Sequence, residues 1–192
     1  MSKFHFTHTD VQRLEEQAQQ LRQDIVSMIH AAKAGHPGGS LSAVEMVTAL
    51  YFNVMNIDPE NPDWTDRDRF VLSKGHACPV LYAALARRGY FDPAILNTLR
   101  QYRSILQGHP DMNKVPGVDI SAGSLGNGLS VGVGMALSAT LHHQNYTTYV
   151  MLGDGEIQEG MVWEAAMAAN HHDLKNLVAI VDCNGVQING WT

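Results

Sequence analysis

Cysteine and basic residues are scarce in this chain. Its 192 residues include two cysteines, Cys78 and Cys183, which lie in unlike contexts and lack metal-binding spacing. Free thiols are the simplest interpretation, and they favour a reducing, cytoplasmic location. Lysine and arginine total 13 against 19 aspartates and glutamates, for a net charge of −6. Because nucleic-acid binding usually needs a basic surplus, we expect no nucleic-acid partner.

Long apolar runs are absent as well. Residues 1–6 lack the apolar core of a signal peptide, and no stretch approaches the ~20 apolar residues of a membrane span. We therefore expect no membrane partner. The sequence also has no repeat, low-complexity tract or interdomain linker. With 45% apolar and 17% charged residues, it has the composition of a globular domain.

Capping patterns and apolar periodicity predict helices along the chain. The first begins at a capping box in residues 9–12 and ends near Gly35. The second runs from a capping box in residues 42–45 to about Val54.

Three further helices are predicted from capping residues and apolar periodicity. One ends at a left-handed cap at Gly89, and the next runs from Asp92 to near Tyr102. The last, in residues 126–143, is rich in small residues. Because glycine costs helix stability, its glycines predict close packing against a backbone or a ligand.

Short apolar runs at residues 70–72, 149–152 and 178–181 predict strands between these helices. Alternating helices and strands indicate an α/β fold with a mainly parallel sheet flanked by helices. We expect residues 1–192 to form a single domain. The chain stops soon after a strand with no closing element, so we expect that domain to be incomplete at its C-terminus.

Two of these strands end in polar, glycine-flanked turns that carry Asp154 and Asn184. The carboxyl ends of parallel strands are where ligands bind. A carboxylate and a carboxamide there suit a hard cation such as Mg²⁺ or Ca²⁺, and a diphosphate could supply further oxygens. The alternatives are a helix N-cap for Asp154 and a tight turn at Asn184-Gly185, and a turn could still present the asparagine.

Three histidines follow glycine in predicted loops, namely His36, His76 and His109. Glycine allows close backbone approach to a ligand, and histidine can donate hydrogen bonds or move protons near neutral pH. A lone loop histidine is usually only solvated, but three in one local setting favour function.

A glycine-rich loop, residues 123–128, leads into the small-residue helix. Free amides at a helix N-terminus attract phosphate, although a flexible turn is the alternative. The loop is neither a P-loop nor a good dinucleotide motif.

The helix after Asp154 carries several glutamates. We expect Glu156 to be a first-turn charge that complements the helix dipole. We expect Glu159 to face a cofactor or a neighbouring subunit. For Glu164, a position on a solvated helix face is at least as good an interpretation. The helix is apolar nearly all round, so we expect it to be buried on most sides, which suggests an interface.

Together these segments resemble the N-terminal, diphosphate-binding half of a transketolase. Gly153-Asp154-Gly155 followed by Asn184 is similar to the thiamine-diphosphate motif of the whole superfamily. The narrower resemblance lies in the three Gly-His turns and in Gly123-Ser124-Leu125-Gly126, taken in order. The spelling Ser73-Lys74-Gly75-His76-Ala77 is most similar to the short N-terminal subunits of split transketolases.

The resemblance implies a thiamine-diphosphate-binding fold and a role for each matching residue. Asp154, Asn184 and the backbone carbonyl of Val186 would bind the metal, which could be Mg²⁺, Ca²⁺ or Mn²⁺. His76 would hydrogen-bond the diphosphate, and Gly155, Gly123, Ser124 and Leu125 would contact the cofactor. His36 and His109 would contact the sugar or assist proton transfer, and Glu159 would lie between two active sites.

The resemblance also implies a partner. The family's catalytic glutamate belongs to a pyrimidine-binding domain that has no counterpart in this sequence. We therefore expect a separate C-terminal subunit, in a heterotetramer of two copies of each chain. The implied reaction moves a two-carbon ketol unit from a ketose, which could be a phosphate or a modified sugar, to an aldose. The alternatives are a 2-oxo-acid dehydrogenase subunit, or a catalytically silent binding subunit.

Overall fold

A parallel three-stranded sheet lies at the centre of the computed structural model, which describes residues 7–188 and 190–192. The strands are β1 (Arg69–Leu72), β2 (Thr148–Gly153) and β3 (Leu177–Asp182), in the order β1-β2-β3. Both strand pairs are parallel, with Arg69 opposite Thr148 and Thr148 opposite Leu177. The predicted α/β fold with a mainly parallel sheet is confirmed.

Helices flank this sheet, and a small antiparallel hairpin follows it. The helices are α1 (His8–Ala32), α2 (Pro37–Leu41), α3 (Val44–Ala49), α4 (Cys78–Arg88), α5 (Asn127–Leu141) and α6 (Gly160–His171). Short 3-10 turns span Gly75–Ala77, Pro93–Thr98 and Glu156–Gln158. The hairpin strands are β4 (Val186–Gln187) and β5 (Gly190–Trp191). Within the described residues, no helix is both long and apolar enough to cross a bilayer.

The first helix begins earlier than predicted. Thr7 is the N-cap, because its hydroxyl accepts a hydrogen bond from the Asp10 N–H at 3.2 Å. The Asp10 carboxylate accepts the Thr7 N–H in return, at 3.0 Å, which completes a capping box. This box outcompetes the predicted one two residues later. The helix ends at Ala32, where Lys33 adopts a left-handed φ of 51°.

The predicted second helix is confirmed in extent but not in its cap. The helix α3 begins at Val44, and a π-helical turn at Leu50–Val54 continues it to the predicted end. The short helix α2 precedes it as a separate element that was not predicted. Ser42 does not act as the predicted cap. Its hydroxyl instead donates to the Asp182 carboxylate at 2.5 Å, so a tertiary contact overrides the local capping pattern.

Later elements match the predictions more closely. The helix α4 ends at Gly89 with a φ of 97°, as predicted, and Asp92 caps the next segment through the Ala94 N–H. That segment is a 3-10 turn ending at Thr98, shorter than the predicted helix, and Arg100 follows with a left-handed φ of 60°.

The glycines of α5 allow the close packing that the sequence predicted. A Cβ built on Gly128 would lie 2.8 Å from the Cα of Ser73. One built on Gly132 would lie 2.4 Å from a methyl group of Val150 in β2. The helix therefore lies directly against the sheet, where a larger side chain would not fit.

The helix α6 is less buried in this chain than predicted. Among its residues, Val162 and Ala165 are buried, whereas Trp163 is 60% and Met167 66% exposed. One face packs on α5 and the sheet, and its other apolar side chains face outwards. The suggested interface stays a prediction.

Candidate functional site

A cavity of about 630 Å³ opens where the three strands end. It lies where ligands bind in parallel sheets. Eight of the predicted site residues line it: His36, His76, Leu125, Asp154, Gly155, Glu159, Asn184 and Val186. The structure therefore brings together residues from loops that are far apart in the sequence.

The other three predicted residues lie outside this lining. A Cβ built on Gly123 would be 3.8 Å from the His109 ring, so these two positions lie close to each other. Ser124 is exposed on the same loop.

Asp154 follows β2 and is held by backbone donors. Its carboxylate accepts the Gly155 N–H at 3.0 Å, the Gly185 N–H at 2.7 Å and the Thr192 hydroxyl at 3.0 Å. Burial alone would raise the pKa of Asp154, but these hydrogen bonds outweigh burial and hold the pKa below its ordinary value. The group is therefore a carboxylate at neutral pH. The helix-cap alternative is wrong, because Glu159 holds the N-cap position of α6.

Asn184 follows β3 and forms the tight turn that the sequence allowed as an alternative. Its side-chain oxygen accepts the Val186 N–H at 3.0 Å, and Gly185 has a φ of 75°. The side chain is exposed and still lines the cavity, so the turn presents it to a ligand. Since Gly185 also donates to Asp154, the two strand ends are joined directly.

A small residue is required where these strand ends meet. A Cβ built on Gly155 would lie 2.8 Å from the Gln187 Cβ. Glycine therefore allows the loop after β2 to pass close beneath the β4–β5 hairpin, which carries Val186.

The donor set suits a shared cation rather than a self-contained metal site. Across residues 7–188 and 190–192, no three histidine, cysteine, aspartate or glutamate side chains group as metal ligands. Asp154, the Asn184 side-chain oxygen and the Val186 carbonyl offer hard oxygen atoms. A hard cation needs six or so oxygens, and a diphosphate would supply others. The residues present fit a cation that bridges the protein and a diphosphate.

The three predicted histidines converge on one side of the site. His36 precedes α2, His76 lies in the turn Gly75–Ala77, and their ring centroids are 5.3 Å apart. Burial, and then the nearby His36, Lys74 and His109, lower the pKa of His76. Burial, and then Arg100 and His36, lower the pKa of His109. Both rings are therefore neutral at pH 7, able to donate one hydrogen bond and accept another.

Glu156 has a different role from the one predicted. It is 3% exposed, so it does not merely complement a helix dipole. One oxygen accepts the Ser73 hydroxyl and the Gly126 N–H, the latter at 2.8 Å, and the other accepts the Gly153 N–H at 3.0 Å. The carboxylate thereby joins the ends of β1 and β2 to the start of α5. It also accepts the hydrogen bond of the Gly126 amide, one of the amides predicted to be free to bind phosphate.

Sequence reasoning missed Lys74 and Asp182. Lys74 is 1% exposed and forms an ion pair with Asp182, which is also buried. The signal that could have drawn attention to Lys74 is a lysine two residues after an apolar strand, where burial would require a charged partner.

The fold and the cavity define an α/β protein with a ligand site at the carboxyl edge of a parallel sheet. Comparison with known proteins identifies the family. Residues 14–192 match the family described as the transketolase thiamine diphosphate binding domain. The chain therefore belongs to the transketolase family.

Two relatives are 49% identical to this chain. An apulose-4-phosphate transketolase subunit of Phocaeicola vulgatus aligns over 182 residues, 95% of this chain and 64% of the relative. The 6-deoxy-6-sulfo-D-fructose transketolase subunit SqwG of a Clostridium species aligns over 93% of this chain and 65% of its own length. This chain thus spans somewhat less than two thirds of these relatives.

Solved structures agree with the family. The transketolase of Campylobacter jejuni superposes with a TM-score of 0.88 at 36% identity, covering 94% of this chain and 29% of that protein. The transketolase of Leishmania mexicana gives 0.85 at 37% identity, covering 91% and 28%. The thiamine-diphosphate-binding fold predicted from the sequence is confirmed.

Proposed function

We propose that this chain is the N-terminal subunit of a split transketolase, with residues 1–192 forming one diphosphate-binding domain. The observation that carries the proposal is the meeting of Asp154 and Asn184 at one cavity, together with His36 and His76. Similarity to two proteins named as transketolase subunits supports it. The reaction would move a two-carbon ketol unit from a ketose donor to an aldose acceptor.

The cavity suits thiamine diphosphate held through a divalent cation, with Mg²⁺ the first choice and Ca²⁺ or Mn²⁺ as alternatives. Asp154, Asn184 and the Val186 carbonyl would hold the cation. His76 would donate to the diphosphate, because its ring is neutral and half-buried. Gly155 and the residues 123–125 would contact the cofactor. When bound, thiamine diphosphate supplies the carbanion chemistry that breaks and forms the carbon–carbon bond.

The remaining site residues would act on the sugar. His36 and His109 are exposed, and the His36 ring lies against that of His76; both would donate hydrogen bonds to substrate hydroxyls. A neutral His109 can also take up and return a proton at neutral pH. Glu159 is exposed at the start of α6, next to its uncovered apolar face, where it would meet a second active site.

We further propose a C-terminal partner chain that carries a pyrimidine-binding domain, in a heterotetramer of two copies of each chain. The exposed apolar face of α6 supports assembly of some kind. The free cysteines Cys78 and Cys183 favour a cytoplasmic location. A sugar phosphate is the proposed substrate. Relatives named for apulose 4-phosphate and for a sulfonated sugar make other anionic sugars equally suitable.

An activity assay with and without the co-expressed partner tests this proposal. Ketol transfer should require both subunits, thiamine diphosphate and Mg²⁺ together. Release of carbon dioxide from a 2-oxo acid would instead indicate a dehydrogenase subunit. Absence of cofactor binding in the assembled complex would contradict the proposal, because it would indicate a silent subunit.

A further inference from the structure

Lys74 is a charged residue in an apolar place. It lies two residues after the buried strand β1 and is 1% exposed. Removing an ammonium group from water costs several kcal/mol unless the charge is paired and its donors are bonded. Partners must therefore come from neighbouring segments, and they identify which segments Lys74 connects.

The partners of Lys74 belong to two other elements of the site, a strand and a helix. Its ammonium group donates to the Asp182 carboxylate at the end of β3. It also donates to the Gly39 carbonyl in α2, at 2.9 Å. The Ser42 hydroxyl donates to the same Asp182 oxygen, so α2 is attached to β3 twice. The contact between Lys74 and Asp182 is buried, and the other two are partly buried.

The side chain of Lys74 also crosses the middle strand. A Cβ built on Gly153 would lie 3.7 Å from the Lys74 Cδ, so the aliphatic part passes over the end of β2. Gly153 immediately precedes Asp154. One side chain therefore contacts the segments that lead into Asp154 and, through Asp182, into Asn184.

The attachment of α2 sets the position of a histidine. His36 holds the N-cap position of α2, and its carbonyl accepts the Ser40 hydroxyl at 2.8 Å. A Cβ built on Gly39 would lie 3.4 Å from the Nε2 of His76. The helix that Lys74 holds through Gly39 thus packs closely against His76.

We propose that the ion pair of Lys74 and Asp182 is a positioning device for this site. It fixes the helix that carries His36 to the strand end that carries Asn184. The proposal depends on the proposed function only for the identity of the ligand. Lys74 is a positioning residue rather than a catalytic one, because its ammonium charge is already paired with Asp182 and bonded to Gly39.

Amide hydrogen exchange on the full chain without cofactor tests this device. The double variant Lys74→Met/Asp182→Asn removes both charges, which avoids an unpaired buried charge. We expect the amides of Gly155 and Gly185, which donate to Asp154, to exchange at least about tenfold faster, the factor expected when hydrogen bonds to a charged group weaken. Amides of Val150 and Leu152 in β2 should keep the wild-type rate.

A milder variant keeps the test decisive if the double variant does not fold. Ser42→Ala removes one bond to Asp182 and leaves the ion pair intact. It should accelerate the same two amides by a smaller factor. The control, Asp68→Asn, alters a buried carboxyl at the opposite end of the sheet and should accelerate the Asn56 and Thr147 amides instead. Unchanged Gly155 and Gly185 amides in Ser42→Ala, or equal acceleration of all amides in the double variant, would overturn the proposal.

Titration of thiamine diphosphate with Mg²⁺ into the assembled complex separates this inference from the proposed function. If wild type does not bind, the proposed function fails, and the exchange result still decides the role of Lys74. If wild type binds, the folded double variant should bind at least about tenfold more weakly, as for other groups that orient metal ligands. Unchanged affinity would contradict the positioning role.

Discussion

The two ends of the sheet use similar residues for different purposes. At the amino end, Asp68 accepts the Asn56 N–H at 2.8 Å and the Thr147 N–H at 2.7 Å. Asp119 accepts the Phe70 N–H at 2.7 Å and pairs with Arg67. At the carboxyl end, Asp154 and Asn184 also accept backbone amides, yet they line an open cavity.

The two ends differ in how many of their polar groups find hydrogen-bond or ion-pair partners within the protein. The amino-end carboxylates are enclosed by protein donors and arginines, so their contribution is to stability. Among the residues that line the cavity at the carboxyl end, Glu156 and Lys74 are buried and bonded, whereas His36, His76 and Asp154 are more exposed. Substitution of Asp68 should therefore mainly lower stability, whereas substitution of Asp154 should mainly weaken ligand binding.

The largest expected effect is on the stability of the amino end. Asp68→Ala leaves the Asn56 and Thr147 amides without their acceptor, and should lower the free energy of unfolding by about 3 kcal/mol. Asp154→Ala should lower it by about 1 kcal/mol or less, because its donors lie in partly exposed turns. Urea unfolding measures both. Equal losses of stability in the two variants would show that Asp68 and Asp154 do not differ in this way.

A second pair of variants tests packing beneath the carboxyl end. Gly128→Ala places a methyl group against the Ser73 backbone and should cost about 2 kcal/mol, as overpacking does. Gly134 lies on the same helix with open space around it. Gly134→Ala should therefore stabilise the protein by about 0.5–1 kcal/mol, from helix propensity. Thermal unfolding measures whether each variant is more or less stable than wild type. Destabilisation by Gly134→Ala would contradict the packing described for α5.

The pH dependence of stability should report the histidines of the carboxyl end. The lowered pKa values of His76 and His109 mean that, below about pH 6.5, the unfolded chain takes up protons before the folded protein does. Stability from these groups is thus retained above that pH and lost as the pH falls below it. Between pH 7.5 and 5.5, wild type should lose more stability than His76→Asn does. Parallel losses would show that His76 has an ordinary pKa.

The smallest effect concerns the two thiols and leaves stability unchanged. Cys183 is exposed beside Asn184, whereas burial raises the pKa of Cys78 to about 12. Since the thiolate is the reactive form, iodoacetamide at pH 8 should modify one cysteine per folded chain, at Cys183. Mass spectrometry of the labelled peptides locates the adduct. Rapid labelling of Cys78 would show that the start of α4 opens.

Local patterns were enough to predict the elements whose signals lie close in sequence. The strands, the cap at Gly89 and the small-residue helix α5 follow from periodicity and from single-residue geometry. The second predicted helix has the expected extent, but its predicted cap is wrong because Ser42 binds Asp182, a residue far along the chain. A capping box is a local signal, and a distant buried carboxylate outweighed it.

The residues of the site could be predicted only in part. Asp154 and Asn184 were recognisable because strand ends of a parallel sheet meet, which is a rule of topology. Glu156 and Lys74 were misassigned or missed, since their roles depend on burial and on partners in other loops. The uncovered face of α6 was likewise not visible from composition, which predicts an apolar surface without showing what covers it.

One measurement tests the central claim that the carboxyl end binds a diphosphate through a cation. Thiamine diphosphate is titrated by calorimetry into the assembled wild-type complex and into Asp154→Ala and Asp68→Asn, with Mg²⁺ or with EDTA. We predict tight binding to wild type and Asp68→Asn with Mg²⁺, and a loss of about 100-fold or more on adding EDTA or replacing Asp154. Equal affinity of Asp154→Ala and wild type in Mg²⁺ would contradict the account.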